Sequence, residues 1–242
     1  RAQIRLPANF DFPDDGIPRE DWGEVRRYGD SPETGPVAPD QARQMIHAYY
    51  ASVSFVDAQI GRVLDALRRL GLDKSTIVIL WSDNGWQLGD HGRWSKPTNY
   101  EVCARITLMI SVPGMPGGQK TDALVELIDI YPTLAELCRL SLPGHLEGTS
   151  FAPLLESPGR PWKTAAFTGL IDYTTRSVRT DRWRFIERAS GQNELYDCHG
   201  DPAEDRNLAA DPASQPIVRQ LQATLKAGWR AATPAPTPGN LP

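Results

Sequence analysis

An uninterrupted apolar run, Thr76-Ile77-Val78-Ile79-Leu80, leads directly into the polar stretch Trp81-Ser82-Asp83-Asn84-Gly85. The run is too short for a helix and too apolar for a strand with one solvated face. It therefore predicts a central parallel strand that is buried on both faces. In open α/β sheets the functional groups lie beyond the carboxyl ends of such strands. Asp83 and Asn84 occupy that position, so we expect a functional site there.

A long amphipathic helix is predicted before this strand. Asp40, directly after Pro39, is its predicted N-cap, and Gly71 suits the position after its last turn. Between them apolar residues recur every three or four positions, at Met45, Tyr49, Val53, Val56, Ile60, Val63, Leu67 and Leu70. This spacing predicts one apolar helix face that extends for about seven turns.

The remaining patterns predict an α/β fold followed by a smaller antiparallel unit. After the first strand we expect a strand at 106–110, a helix at 129–140, a loop at 143–157, strands at 165–168, 176–179, 182–186 and 194–197, and a helix at 217–229. The domains expected are an irregular wrapping segment at 1–39, an α/β core at 40–160, a small antiparallel α+β subdomain at 161–230 and a disordered Pro-rich tail at 231–242.

Composition narrows the class of protein. The chain has 242 residues and a formal net charge of −4, which gives no reason to expect nucleic-acid binding. No apolar run is long enough to span a membrane. Cys103, Cys138 and Cys198 are widely spaced and lack zinc-site spacing, which favours three free thiols and leaves one disulfide open. The chain opens at Arg1 without an initiator Met, so we expect it to be a piece of a longer protein; a signal peptide removed upstream would give the same start.

Asp83 and Asn84 are the candidate metal ligands. Both offer oxygen atoms, which calcium and magnesium prefer over softer ligands. Two adjacent ligands can reach one ion only if the backbone turns sharply, and Gly85 permits such a turn. The alternative is that Asp-Asn-Gly is only an ordinary turn.

His91 and Lys96 are the candidate catalytic residues. Lys96 near a metal would stabilise a developing oxyanion, whereas its alternative is a solvated surface lysine. His91 either donates to a sulfate or substrate or only braces the loop. Trp86 and Trp94 either form an aromatic wall for a ligand or pack in the core.

Four arginines alternate across the predicted hairpin, and two interpretations are open for them. They form either a basic lip near an anionic substrate or a solvated face, which is the commoner arrangement. These residues are Arg176, Arg179, Arg182 and Arg184.

Several ordered motifs resemble type I sulfatases. Residues 49–62 resemble the long helix of that family. The match continues in the right order at 113–114, 127–134, 194–197 and 201–208. The metal- and sulfate-binding loop, in the order found in the iduronate-sulfatase branch, is matched by Ser82-Asp83-Asn84-Gly85-Trp86-x-Leu88-Gly89-x-His91-Gly92-x-Trp94-x-Lys96. The resemblance extends from about Met45 to Leu208.

The resemblance implies an alkaline-phosphatase-like fold and hydrolysis of sulfate esters. It implies a calcium ion, to which Asp83 and Asn84 contribute, and assigns sulfate binding to Lys96. It also implies a formylglycine nucleophile made from the Cys or Ser of a Cys/Ser-x-Pro-x-Arg motif. The expected substrate is a sulfated small molecule or carbohydrate. The compartment is undetermined by the residues, although calcium use and family habit favour a secreted or periplasmic setting.

One departure from the family pattern is large. None of Cys103, Cys138 and Cys198 is followed by x-Pro-x-Arg. We therefore expect the C-terminal portion of a sulfatase, inactive alone, whose partner is the missing N-terminal half of the same protein. The alternatives are a phosphonate or phosphate ester hydrolase of the same superfamily and a non-catalytic anion-binding fragment.

Overall fold

The computed structural model describes residues 3–10, 36–170 and 174–234. The chain forms two compact units, Arg1–Gly114 and Met115–Pro242. The predicted boundary between core and subdomain, at 160/161, rests on the change to an antiparallel strand pattern in the sequence and stays a prediction. Most of the predicted wrapping segment, 11–35, and most of the predicted tail, 235–242, lie outside the described residues.

The described residues of the first unit form two α-helices and four strands. In chain order they are α1 (Pro39–Arg69), β1 (Val78–Trp81), β2 (Gln87–Leu88), β3 (Trp94–Ser95), α2 (Glu101–Ala104) and β4 (Leu108–Ser111). The long predicted helix is confirmed as α1, but its N-cap is Ala38 and not Asp40. Asp40 lies in the first turn, where the positive end of the helix dipole stabilises a carboxylate. Gly71 follows the helix with a φ of 70°, as predicted.

The first strand was predicted to be parallel to its neighbours, and this prediction is wrong for the one pairing that the described residues show. β1 pairs with β4 in antiparallel register, so that Val78 lies opposite Ser111 and Trp81 opposite Leu108. Most of β1 is half-buried and Trp81 is exposed. An apolar run indicates which faces can be buried, but the direction of a neighbouring strand depends on how the chain returns to the sheet.

The apolar face of α1 is buried only near the start of the helix. Ala42 and Ile46 pack with Phe10, Val37 and Trp94 in the core of the first unit. Farther along the helix several stripe residues are exposed, with fractions of 53% for Val53 and 68% for Val63, whereas Ile60 and Leu67 are half-buried.

The second unit has a four-stranded antiparallel sheet covered by a helix. Its elements are α3 (Ile130–Leu137), α4 (Ala152–Glu156), β5 (Ala166–Gly169), β6 (Thr175–Arg179), β7 (Trp183–Arg188), β8 (Glu194–Asp197) and α5 (Gln215–Ala227). The strand order β5-β6-β7-β8 confirms the predicted antiparallel α+β unit. Val218 and Leu221 of α5 pack on Phe185 and Leu195 of the sheet.

The prediction of a loop throughout 143–157 is wrong, because α4 lies within it. A five-residue helix is too short to show a period in sequence, and Pro153 sits in its first turn, where proline is tolerated. No helix in the described part of the chain is long and apolar enough to span a membrane.

The prediction of a solvated arginine face is wrong for Arg184. This side chain is almost fully buried, and its Nε donates to Glu204 at 2.6 Å. Arg176 and Arg182 are exposed but paired, with Glu187 and Asp197. The alternation along a strand predicts on which face of the sheet an arginine lies. It does not predict whether a later segment of the chain covers that face.

Candidate functional site

The turn after β1 is held by hydrogen bonds to the segment that precedes β4. The Ser82 backbone N–H donates to the Thr107 carbonyl at 3.0 Å, and the Gly85 N–H donates to the Cys103 carbonyl at 2.8 Å. The Ser82 hydroxyl donates to the Asn84 carbonyl across the turn. The backbone that carries Asp83 and Asn84 is therefore positioned by tertiary contacts as well as by the strand.

Gly85 is required for close approach of two backbone segments. A Cβ at this position would lie 2.0 Å from the Val102 carbonyl oxygen and 3.1 Å from the Cys103 Cα. The sequence suggested this glycine for a sharp turn. The structure adds a second reason, because any larger residue collides with backbone that cannot rotate away.

The side chains of Asp83 and Asn84 present oxygen atoms that accept no hydrogen bond from another described residue. Asp83 is exposed and Asn84 is half-buried. Neither side chain makes a hydrogen bond or ion pair with another described residue. A free carboxylate beside a free amide oxygen fits part of a calcium site, which takes six to eight oxygens. The described residues hold no group of three or more His, Cys, Asp or Glu that could bind a metal, so other ligands would complete it.

Lys96 follows a residue, Ser95, that is buried and has a strained backbone conformation. Ser95 is fully buried with a φ of 83°, in the left-handed region that non-glycine residues rarely adopt. Gln87 lies opposite Ser95 in the β2–β3 pair, and the Cys103 thiol contacts the Ser95 carbonyl at 3.6 Å. Lys96 itself is exposed and has no ion-pair partner among the residues described. Its ammonium is therefore free to meet an anion.

His91 is placed inside the loop and not at its surface. It is almost fully buried, and its ring packs against Tyr100 at 5.2 Å between centroids. The Arg93 guanidinium lies over the same Tyr100 ring at 4.9 Å. Of the two predicted roles for His91, this geometry favours bracing. Sequence reasoning did not find the aromatic centre at Tyr100, because a lone loop tyrosine shows no pattern.

The two loop tryptophans differ in burial. Trp94 is buried in the core of the first unit, which confirms the packing interpretation for that residue. Trp86 is half-buried and stacks on Tyr49 of α1, with 6.1 Å between ring centroids.

A carboxyl group with a strongly lowered pKa, that of Asp197, lies outside the candidate site. Hydrogen bonds from the Arg182 guanidinium, at 3.0 and 2.6 Å, lower the pKa of Asp197 to about 2 against the opposing effect of burial. The backbone N–H groups of His199 and Gly200 reinforce this shift in pKa. This pair closes a strand end, so we interpret it as structural and not as catalytic.

A buried ionic cluster in the second unit was missed from the sequence. The Lys163 ammonium donates to both Asp129 carboxylate oxygens, at 2.8 and 2.7 Å, and to Glu126 at 2.8 Å. The Asp129 carboxylate also accepts the Thr149 N–H at 2.7 Å. The three-residue spacing of Glu126 and Asp129 is a capping-box spacing and was the available signal. Lys163 gave no signal, because it is distant in sequence.

The fold and the loop together define the class of protein. Two family models match the chain, Sulfatase over residues 20–140 and N-sulphoglucosamine sulphohydrolase, C-terminal, over residues 89–230. Each covers half of the chain or more, in agreement with the motifs read from the sequence. The chain belongs to the sulfatase family.

Two curated relatives illustrate this similarity. A sulfatase from Formosa agariphila is 36% identical over 192 residues, which is 78% of this chain and 38% of the relative. Iduronate 2-sulfatase from Mus musculus is 36% identical over 161 residues, which is 54% of this chain and 29% of the relative. The chain thus spans less than two fifths of the length of either relative.

Two solved structures confirm the alkaline-phosphatase-like α/β fold. One, a protein in complex with its substrate D-glucosamine-2-N,6-O-disulfate, has a TM-score of 0.73 at 29% identity, covering 77% of this chain and 40% of that chain. The other, phosphonate monoester hydrolase of Agrobacterium radiobacter, has a TM-score of 0.71 at 28% identity, covering 80% and 42%.

Proposed function

We propose that this chain is the C-terminal portion of a calcium-dependent sulfatase that hydrolyses a sulfate ester of a carbohydrate or similar small molecule. The observation that carries the proposal is a single loop with three unpaired polar groups. The Asp83 carboxylate, the Asn84 amide and the Lys96 ammonium all lack partners within the described residues. Asp83 and Asn84 would hold calcium, which would neutralise charge on the bound sulfate.

Lys96 would act on the sulfate group itself. Its ammonium donates to sulfate oxygens and stabilises the charge that shifts onto the leaving oxygen as the S–O bond breaks. The buried Ser95 backbone keeps the base of the lysine side chain in place. His91 would act as a positioning residue, since its contact with Tyr100 braces the loop between the metal ligands and Lys96.

The nucleophile of the proposed reaction lies outside these residues. No cysteine or serine of the chain is followed by x-Pro-x-Arg, the motif in which the family forms formylglycine. We propose that the N-terminal half of the same protein supplies this group and the remaining calcium ligands.

Exposed apolar surface in the first unit supports an N-terminal partner. The part of the α1 stripe that includes Val53 and Val63 is exposed, as are Trp81 of β1 and Met109 of β4. β1 and β4 pair only with each other among the described strands. A two-stranded sheet is marginal alone, so further strands on its edges and an apolar cover on α1 fit this surface. We also propose a secreted or periplasmic setting, where calcium is plentiful.

The structural neighbours support two kinds of substrate. The complex with D-glucosamine-2-N,6-O-disulfate favours a sulfated carbohydrate. The likeness to a phosphonate monoester hydrolase keeps a phosphonate or phosphate ester as the second candidate. Assay of the complete protein on an aryl sulfate and the matching phenyl phosphonate would separate them by the ratio of kcat/KM values.

The metal assignment is tested by Asp83→Ala in the complete protein. We expect calcium affinity and sulfatase activity to fall together, because a hard cation loses a charged ligand. Isothermal titration with calcium measures the first and an aryl sulfate assay the second. The matched control is Asp73→Ala, in the exposed turn after α1, which should leave both unchanged. Unaltered calcium affinity in Asp83→Ala would leave only the non-catalytic or turn interpretation of this residue.

A further inference from the structure

A cleft of about 830 Å³ opens within the second unit, between helix α5 and the turn that joins β6 to β7. Its walls are three segments, 120–124, 158–164 and 180–183, and one face of α5. This volume is within the range of small-molecule sites. Nothing in the proposed hydrolysis uses the cleft.

The walls are held by hydrogen bonds within the unit. The Thr121 hydroxyl donates to the Pro158 carbonyl at 2.7 Å, which joins the first two wall segments. The Trp183 N–H donates to the Thr180 hydroxyl oxygen at 3.0 Å, which closes the third. The Thr164 N–H donates to the Ala232 carbonyl at 3.1 Å. A pre-formed cleft loses little entropy when a ligand binds.

The lining combines aromatic surface with both hydrogen-bond donors and acceptors. Trp162 and Trp183 supply the aromatic surface. The polar lining residues include two cations, two carboxylates, an amide and a hydroxyl, namely Lys120, Arg160, Asp122, Asp181, Gln220 and Thr224. A sugar ring matches this mixture, because it has apolar C–H faces and hydroxyls that both donate and accept.

The charges of the lining decide against a site for sulfate groups alone. Lys163 and Arg182 also line the cleft, but Asp129, Glu126 and Asp197 already balance their charges. Lys120 and Arg160 share the lining with two carboxylates, Asp122 and Asp181. A lining of near-zero net charge gains little from a dense anion, so recognition falls to ring faces and hydroxyls.

We infer that this cleft binds sugar residues of a carbohydrate chain, separately from the sulfate that is hydrolysed. The inference rests on the proposed function for its class of ligand, since a sulfatase of carbohydrates meets such chains. It assigns the second unit a binding role in addition to the calcium and sulfate loop of the first unit. The sugar binds without calcium and with little dependence on salt.

The test uses the complete protein and two probes of equal length. These are a heparin-derived tetrasaccharide and the same tetrasaccharide after desulfation and N-acetylation. We expect both to bind, with dissociation constants within about threefold of each other, in calcium-free buffer. Binding of only the sulfated probe, lost at high salt, would overturn the inference in favour of simple ion pairing.

Two variants locate the binding, and a third is the matched control. Trp162→Ala should weaken both probes about three- to tenfold, as expected for loss of an aromatic contact. Gln220→Ala should weaken them about two- to tenfold through a lost hydrogen bond. Gln222→Ala, on the same helix but outside the lining, should change nothing. If Trp162→Ala lowers the melting temperature, its weaker binding is uninformative, and the comparison of Gln220→Ala with Gln222→Ala decides. Equal probe affinities of these two variants would overturn the inference.

The outcome is separable from that of the proposed function. Calcium titration of Asp83→Ala in the complete protein tests the metal loop and does not involve the cleft. Absence of sugar binding in a protein that binds calcium would reject the cleft alone. Sugar binding in a protein whose calcium affinity does not depend on Asp83 would reject the calcium site alone.

Discussion

Lys96 follows a serine whose backbone is in the left-handed region, and His91 has the same feature a few residues earlier. Their φ values are 83° for Ser95 and 53° for His91, and both residues are buried. Each such position costs about 1–3 kcal/mol and persists only where the surroundings hold it. The tight packing around Tyr100 and Trp94 supplies that constraint. The backbone at Lys96 is therefore fixed before any ligand arrives, and only the lysine side chain must be ordered.

Lys96→Ala in the complete protein should lower kcat by about 100- to 1000-fold, because a donor to the reacting group is lost. The melting temperature and calcium content should change little, since the side chain is exposed and unpaired in the described chain. Lys96→Arg should restore only part of the rate, because a planar fork replaces a compact ammonium. The control is Lys74→Ala, at an exposed turn. Near-normal turnover of Lys96→Ala would mean that Lys96 is only a surface lysine.

Gly85→Ala should destabilise the chain by about 1–3 kcal/mol, because its Cβ collides with the Val102 carbonyl. Gly61→Ala is the matched control. Gly61 lies inside α1 with no atom near its missing Cβ, so alanine there should stabilise by about 0.5–1 kcal/mol. Denaturant unfolding of both variants measures the two effects, and equal stabilities would show that the backbone approach at Gly85 yields easily.

Among the secondary-structure elements, those of the second unit are joined by buried charges as well as by apolar packing. Lys163, just before β5, bonds to Asp129 at the start of α3. In β7, Arg188 donates to Glu194 of β8 at 2.6 Å, and the Tyr196 hydroxyl donates to the same carboxylate at 2.7 Å. Buried pairs add little net stability, but breaking one leaves an uncompensated charge. They therefore specify which segments meet.

The Arg182–Asp197 pair predicts an acid-dependent contribution to stability. The pKa of Asp197 is lowered to about 2 from an ordinary 3.8. The stabilisation is therefore fully present above about pH 4 and is lost as pH falls through about 2. Arg182→Ala should be less stable than wild type at neutral pH, and the difference should shrink as pH falls from about 4 to about 2.

Urea unfolding at several pH values, together with an NMR titration of the Asp197 carboxyl group, measures this dependence. The control is Arg219→Ala, an exposed arginine of α5, whose difference from wild type should not vary over the same range. A constant difference for Arg182→Ala would mean that its pairing with Asp197 does not lower that pKa.

At the scale of the whole molecule, burial is uneven. The second unit has a sheet, a covering helix and a buried apolar cluster that includes Val178, Phe185 and Leu195. The first unit leaves much of the apolar stripe of α1 exposed. Exposed apolar side chains on one helix face favour contact with another protein surface. This asymmetry is what a chain spanning less than two fifths of its relatives would show if its partner segment packs on the first unit.

The 242-residue chain alone should show no measurable turnover of an aryl sulfate, because no Cys/Ser-x-Pro-x-Arg motif is present. It should also dimerise or aggregate through the exposed face of α1, as light scattering after size-exclusion chromatography would detect. Co-expression with the N-terminal half should yield activity and a defined complex. Turnover by the purified chain, shown free of other enzymes, would refute the expected need for an upstream nucleophile.

The sequence determined the elements whose signal is local and periodic. The helix α1, the strands of the antiparallel sheet and the loop with Asp83, Asn84 and Lys96 were all predicted, because spacing and turn residues act over a few positions. Ordered motifs also identified the family. The roles of Asp83, Asn84 and Lys96 stay predictions that mutation must test.

Only the tertiary structure decided the properties that depend on residues distant in the chain. It showed that β1 is antiparallel to β4, that Arg184 is buried against Glu204, and that Lys163 joins Asp129. It also placed His91 inside its loop. No local pattern encodes these contacts, because burial and pairing follow from which segments meet in space, and that is set by the free energy of the whole fold.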